Sequence, residues 1–323
     1  MPDHETAIQT ARSRDLENLL LRRREVEAAF RIGRGYNAHS DCLLLRDHIA
    51  APILRLALRT MGLYSRGTRN ALQPVVRHLR LEFEGLPESF HGFRLLHLAD
   101  LHIDGIDGLA EVVAERVAAL PVDLCVMTGD YRFEVGGPCD AVYPRLATVL
   151  SSVRARYGVV AILGNHDEAE IAVELENLGV RTLINEAVEI ARGGARLWII
   201  GVDDPHHYGC DDLEGALQDV PENAFKVALA HSPEMYEQAA AAGIRLYLCG
   251  HTHAGQIRLP WIGATLVNAD CPRAFTHGAW QHGTMMGYTS AGVGCSLLPV
   301  RYNCPPEIAL IEMAKKLSPY RSL

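Results

Sequence analysis

No two cysteines in this chain stand in a CxxC pair, although it carries eight: Cys42, Cys125, Cys139, Cys210, Cys249, Cys271, Cys295 and Cys304. That absence argues against a zinc ribbon and against a dithiol redox centre. In a chain of 323 residues the irregular spacing also argues against a disulfide framework, so free thiols in a reducing cytoplasm are expected. Cys125 and Cys249 sit inside apolar runs and read as small core residues. The first 20 residues hold no apolar core followed by a small-residue cleavage site, so no secretory leader is expected. Uninterrupted apolar stretches long enough to span a bilayer (about 18 residues) are also missing. There is no internal repeat and no low-complexity tract. Basic charge is short overall: 31 Lys and Arg against 39 Asp and Glu leave a formal charge of −8, which argues against a general nucleic-acid binder.

What is present is unevenly spread. Residues 1–80 hold 14 Arg, no Lys and 8 acidic residues, a net of +6, while the remainder holds 17 basic and 31 acidic residues, a net of −14. Such asymmetry suggests a separate role for the first part. Two domains are expected, a helical, basic and Leu-rich extension over 1–74 and a catalytic domain over 75–323. Residues 5–31 read as a charged helix with Leu16, Leu19, Leu20, Val26 and Phe30 as its apolar stripe and Arg22, Arg23 and Arg24 outside. Residues 41–63 are richer in Leu, with Arg46, Arg55 and Arg59 between, and Pro52 should kink or restart a helix there. Two readings of this segment stand open. It is an amphipathic helix packed on the main domain, or an interfacial helix lying on an anionic membrane.

From about residue 75 the rhythm changes. Strands are expected over 75–84, 93–99, 122–127 and 159–163, and helices over 108–120, 143–156 and 168–178. Beyond residue 180 strands come closer together, around Thr182 and Val188 and over 197–202, 227–230, 246–249, 256–259, 284–291, 297–300 and 308–312. Apolar strands alternating with helices indicate an α/β sheet packed by helices.

Five polar clusters each follow an apolar run: Asp100-Leu101-His102, Gly129-Asp130, Gly164-Asn165-His166-Asp167, His231, and Gly250-His251-Thr252-His253. Each lies at the carboxyl end of an expected strand, where open α/β sheets gather their ligands. Three Asp, one Asn and five His are more than one metal needs and suit a pair of divalent ions. Two such ions acidify a water for attack on phosphorus and offset charge on the phosphoryl oxygens. Asp130 is placed to serve both ions. An imidazole left free of metal, His166, can protonate the leaving oxygen, with Asp167 beside it to orient the ring. Substrate contact or a plain loop is open for His206 and His207, and likewise for His277 and His282. Arg258 reads as a phosphate clamp or a strand-surface residue, Asp203 and Asp204 as turn residues, and His97 as structural.

In order and spacing, the five clusters resemble the calcineurin-like metallophosphoesterase superfamily over residues of about 75–313. The resemblance implies a four-layer αββα sandwich. It also implies Asp100, His102, Asp130 and His253 on one metal, Asp130, Asn165, His231 and His251 on the other, and His166 as proton donor with Asp167 as its partner. Further pieces resemble the YaeI- and YkuE-like phosphodiesterases: Gly201-Val202-Asp203-Asp204-Pro205, the run 255–260 after the last histidine pair, and Pro305-Pro306-Glu307. Ala254 departs from that subgroup, which usually has glycine there. The resemblance implies hydrolysis of a phosphodiester or pyrophosphate bond, with UDP-2,3-diacylglucosamine a candidate substrate. Mn2+ is the leading metal, with Fe, Zn or Mg as others. The expected setting is cytoplasmic and peripheral on the inner membrane face through residues 1–74, without nucleic acid. The alternatives are a broad phosphomonoesterase or cyclic-nucleotide phosphodiesterase and, in another class, a non-catalytic scaffold. The acidic catalytic domain disfavours a nuclease.

Overall fold

A computed structural model describes residues 9–10, 15–31, 50–264 and 267–316. In chain order the elements are β1 (Gln9–Thr10), α1 (Leu16–Arg31), α2 (Ala51–Thr60), α3 (Tyr64–Ala71), β2 (Val75–Phe83), β3 (Phe93–Leu98), α4 (Leu109–Ala118), β4 (Leu124–Thr128), α5 (Val142–Ser152), β5 (Val159–Ile162), α6 (Ala169–Asn177), β6 (Arg181–Thr182), β7 (Glu186–Arg192), β8 (Ala195–Gly201), α7 (Leu213–Leu217), β9 (Phe225–Leu229), α8 (Tyr236–Ala241), β10 (Leu246–Cys249), β11 (Arg258–Leu259), β12 (Gly263–Ala264), β13 (Gly278–His282), β14 (Met285–Thr289) and β15 (Glu307–Lys315).

One sheet runs β2-β15-β3-β4-β5-β6 and the other β1-β7-β8-β9-β10-β14-β13. The middle of each is parallel: β3 through β6 in the first, and β8, β9, β10 and β14 in the second. Parallel strands covered on both faces read as continuous apolar runs, and side-chain alternation then divides each run between two cores. In β3, Phe93 and Leu95 face the other sheet while Leu96 and Leu98 face helices. In β4, Leu124 and Val126 point inward, and Cys125 and Met127 point to the helices. Leu197, Ile199, Val227, Leu229, Leu246 and Leu248 complete the inter-sheet core from the second sheet. A third core, with Ile200, Tyr247 and Trp280, packs α7 and α8 on that sheet's outer face. The result is the expected αββα sandwich. Burying each large aliphatic side chain contributes roughly 1.5–3 kcal/mol, so these cores hold both sheets in register.

Four expectations need correction. The helix expected over 5–31 begins at Leu16, and Gln9–Thr10 pair with β7 as a strand instead. Arg23 is not on the outer face of α1 but fully buried. Residues 297–300 form no strand; Leu298 and Val300 are apolar because they pack under Ala51 and Leu58 of α2. The stretch at 278–282 is an edge strand, antiparallel to β14, rather than a loop. Pro52 lies in the first turn of α2, where its missing N–H costs nothing, so it starts the helix. Residues 41–49 of the expected segment lie outside the described residues. Helix α2 packs through Ala51 and Leu58 yet leaves Ile53 and Leu56 about two-thirds exposed, at 64% and 65%. Among the described residues no helix is long and apolar enough to cross a membrane. The seven described cysteines are all free, and Cys42 lies outside them.

Candidate metal centre

Each polar cluster leaves a strand at its carboxyl end: Asp100 after β3, Asp130 after β4, Asn165 after β5, His231 after β9, and His251 and His253 after β10. Both sheets therefore deliver donors to one end of the sandwich. The backbone there turns left-handed at Asp100 (φ 49°), His102 (37°), Asp130 (57°), His251 (69°) and His253 (48°). Non-glycine residues avoid that region, and such strain persists only where the surroundings impose it. Hydrogen bonds between loops impose it here. Asp100 N donates to Gly129 O (3.1 Å), His102 N to Asp130 O (2.9 Å) and Gly294 N to Asp100 O (2.7 Å). His166 N donates to Asp130 Oδ1 at 2.8 Å. Ala254 is also left-handed, at φ 50°, and buried, so its methyl group sits where glycine would be unstrained.

The side chains converge in three overlapping groups: Asp100, His102 and His253; His102, Asp130 and His166; and Asp130, His231 and His251. Asn165 Oδ1 lies 2.8 Å from His231 Nε2 and 2.9 Å from His251 Nδ1. His102 Nε2 lies 3.1 Å from His253 Nε2, and Asp130 Oδ2 lies 3.3 Å from His231 Nε2 and 3.6 Å from His102 Nε2. Carbonyls set two of the tautomers. Arg132 O accepts from His102 Nδ1 (2.6 Å) and Thr128 O from His231 Nδ1 (2.8 Å), so in the neutral rings the Nε2 lone pairs point inward.

The His102 Nε2 lone pair thus faces Asp130 Oδ2 at 3.6 Å, as ligands around a cation do and as a protein without one avoids. Burial pushes the His102 ring down to about 3 and holds His251 and His253 well below the usual imidazole range, which keeps them in the neutral, ligating form. Burial likewise pushes Asp100 up to about 7. Burial opposes charge at Asp130 too, but His231 and then His166 hold its carboxyl well below the ordinary value. Against burial, Asp130 in turn draws His231 up to about 10. A divalent cation would take the place of that proton, so the residues present fit a metal centre.

The ring of His166 is fixed differently from expectation. Phe133 O lies 2.7 Å from its Nδ1. Asp167 spends both oxygens on backbone donors: Asp130 N (2.7 Å) and Gly164 N (2.8 Å) on Oδ2, and Tyr131 N (2.8 Å) on Oδ1. Asp167 therefore ties the loop after β5 to the loop after β4, and Phe133 takes the orienting part assigned to it. Asp203 and Asp204 do not extend the metal cluster. Asp204 accepts from the backbone of His206, His207 and Tyr208, the expected turn role. His206, left open by the sequence, lies with its ring 4.1 Å from that of His251, tilted by 49°, and is held by Glu234 at 2.8 Å. His282 packs on Tyr236 instead. Arg301 went unnoticed. It is fully buried, bonds Gly292 O and Gly294 O, and lies 3.2 Å from His253 Nδ1. Its only sequence signal is a lone Arg directly after the apolar run 297–300.

Glycine before His251 and before Asn165 has a steric reason. A Cβ at Gly250 would overlap the Asp100 carboxylate, and one at Gly164 would overlap that of Asp130. We expect Gly250→Ala to bind metal at least tenfold more weakly while remaining folded, because the methyl group displaces a ligand; a metal titration followed by calorimetry checks this. Unchanged affinity would mean the loop gives way freely.

Two facing sheets that bring Asp, Asn and His donors to one end define a metal-dependent phosphoester hydrolase. The calcineurin-like phosphoesterase family profile matches residues 93–255, half of the chain, and the chain belongs to that family. It is 28% identical over 239 residues to the uncharacterized metallophosphoesterase YkuE of Bacillus subtilis (strain 168), covering 71% of this chain and 81% of that protein. It is 29% identical over 250 residues to the phosphodiesterase YaeI of Escherichia coli (strain K12), covering 74% and 87%. A transmembrane protein with metallophosphoesterase domain from Danio rerio is 30% identical over 323 residues, covering 92% and 67%.

Proposed function

We propose that the chain hydrolyses a phosphodiester or pyrophosphate bond in a lipid-linked nucleotide sugar of the UDP-2,3-diacylglucosamine kind, with two divalent ions, Mn2+ foremost. Asp100, His102, Asp130 and His253 would hold one ion, and Asp130, Asn165, His231 and His251 the other. Ions so held would acidify water and neutralise charge on the phosphoryl oxygens. His166 delivers a proton to the leaving oxygen from Nε2. Its Nδ1 proton stays committed to Phe133 O, which leaves Nε2, 3.9 Å from Asp130 Oδ2, to face the leaving group.

One observation carries the lipid part. The cavity over the centre, about 400 Å³, is lined by Asp130, Asn165, His166, His206 and His251 and also by Leu54, Ile257, Val267, Leu297 and Leu298. Apolar lining beside a phosphate-cleaving centre suits an acyl chain. Leu54 belongs to α2, which also exposes Ile53 and Leu56 beside Arg55 and Arg59. The tip of the β11–β12 hairpin exposes Trp261 and Ile262. Apolar side chains next to arginines suit peripheral contact with an anionic membrane, on its cytoplasmic face. In detergent micelles with Mn2+, UMP release from UDP-2,3-diacylglucosamine should outpace cleavage of simple aryl monoesters, aryl diesters and cyclic nucleotides at least tenfold in kcat/KM. Faster turnover of the small esters would remove the lipid substrate and leave a broad phosphoesterase.

A further inference from the structure

Helix α1 lies outside the segment 93–255 that matches the family, yet it reaches the site. Arg23 is fully buried, and its planar fork of donors is shared between two loops. Nη2 donates to Gly164 O (2.6 Å) and to Asp167 O (2.5 Å), the two carbonyls that bracket Asn165 and His166. Nη1 donates to the Asp203 carboxylate, and Nε to Glu27 Oε1 at 3.2 Å. The same Glu27 oxygen accepts from Ala169 N at 2.9 Å, at the start of α6. Around it, the Tyr208 ring lies 4.0 Å from the guanidinium carbon, Phe30 stacks on His207 at 4.6 Å, and Arg22 Nη2 donates to Gly209 O at 2.6 Å.

The loop 203–209 so gripped carries His206, whose ring rests against His251. The loop 164–167 carries Asn165 and the proton donor. No strand pairing joins the two loops directly. We infer that Arg23 is a positioning residue of the active site, clamping the loop 164–167 to the loop 203–209 and so setting the reach of His166 toward the leaving oxygen, with α1 a working part of the catalytic unit. A buried guanidinium is a poor source of net stability, since its desolvation offsets most of the attraction to Asp203. Its fork geometry is what two carbonyls and two carboxylates require. A lysine ammonium, with three donors on one atom, cannot span them.

The inference rests on His166 as proton donor, so His166→Ala is measured in parallel. The variants are Arg23→Lys and the double variant Arg23→Met with Asp203→Asn, which removes the buried pair and leaves Glu27 on Ala169 N. Each is made in the full chain with Mn2+, and the substrates are methyl phenyl phosphate and methyl 4-nitrophenyl phosphate, which differ only in the leaving group. We expect metal content to hold, KM to change little, and kcat to fall roughly 10²-fold on the phenyl ester, the scale of a 1 Å misplacement. The fall on the nitrophenyl ester, whose leaving group needs no proton, should be several-fold smaller. Equal losses on both esters, no loss, or unfolding of both variants would assign Arg23 to stability alone and overturn the inference. If His166→Ala shows the leaving-group dependence and the Arg23 variants do not, Arg23 alone is misassigned. If His166→Ala lacks it, the proton-donor reading falls first and this inference with it.

Discussion

Asp130→Asn will purify with less than one metal equivalent per chain and with activity lowered by about 10³-fold or more. Asp130 is buried, and its Oδ2 lies within 4 Å of His102, His166 and His231. If that carboxylate serves two cations, one substitution removes a ligand from each. An amide keeps the shape but leaves two dications facing neutral imidazoles, Asn165 and a single carboxylate, Asp100. The loss of two ions forfeits several kcal/mol of transition-state stabilisation, and each 1.4 kcal/mol is tenfold in rate. Elemental analysis beside kcat checks both halves. Two metals retained per chain would show that Asp130 is not shared.

His166→Ala should part the two properties that Asp130→Asn loses together. Metal content is expected to stay at two, because the carboxylates, Asn165 and the other four histidines remain. Turnover should fall roughly 10²–10⁴-fold, the usual range for a general acid. The loss should shrink as the leaving group becomes more acidic. The backbone of His166 is unchanged by the substitution, so His166 N still donates to Asp130 Oδ1 and the loop keeps its place. Loss of metal in this variant would instead make His166 a ligand, which its membership of a group with His102 and Asp130 permits geometrically.

The strands that carry the site were legible because burial on both faces makes them continuous apolar runs, each ended by a polar cluster. The edge strand β13 was not. Only Trp280 of its five residues is buried, so no period shows. Residues 297–300 mislead in the opposite way: an apolar run reports burial, and here burial comes from α2 rather than from strand pairing. Helix α3 carries Gly67 in its middle, where glycine costs helix stability. In the fold, a Cβ at Gly67 would collide with Val300 and Tyr302, so close packing demands the glycine. The three arginines at 22–24 look alike in sequence, and nothing local marks the middle one as buried.

The kinds of donor atom, their order, and their place at strand ends are written in the amino-acid sequence, because strand length and alternation are local properties. Which donors share a neighbourhood is not local. His102 meets His253 across 151 residues, and Arg23 meets Asp203 across 180. Only the facing of two sheets and the docking of α1 bring such atoms together. The same folding moved the orienting contact of His166 from the neighbouring Asp167 to the carbonyl of Phe133, because the carboxylate had backbone donors to satisfy first.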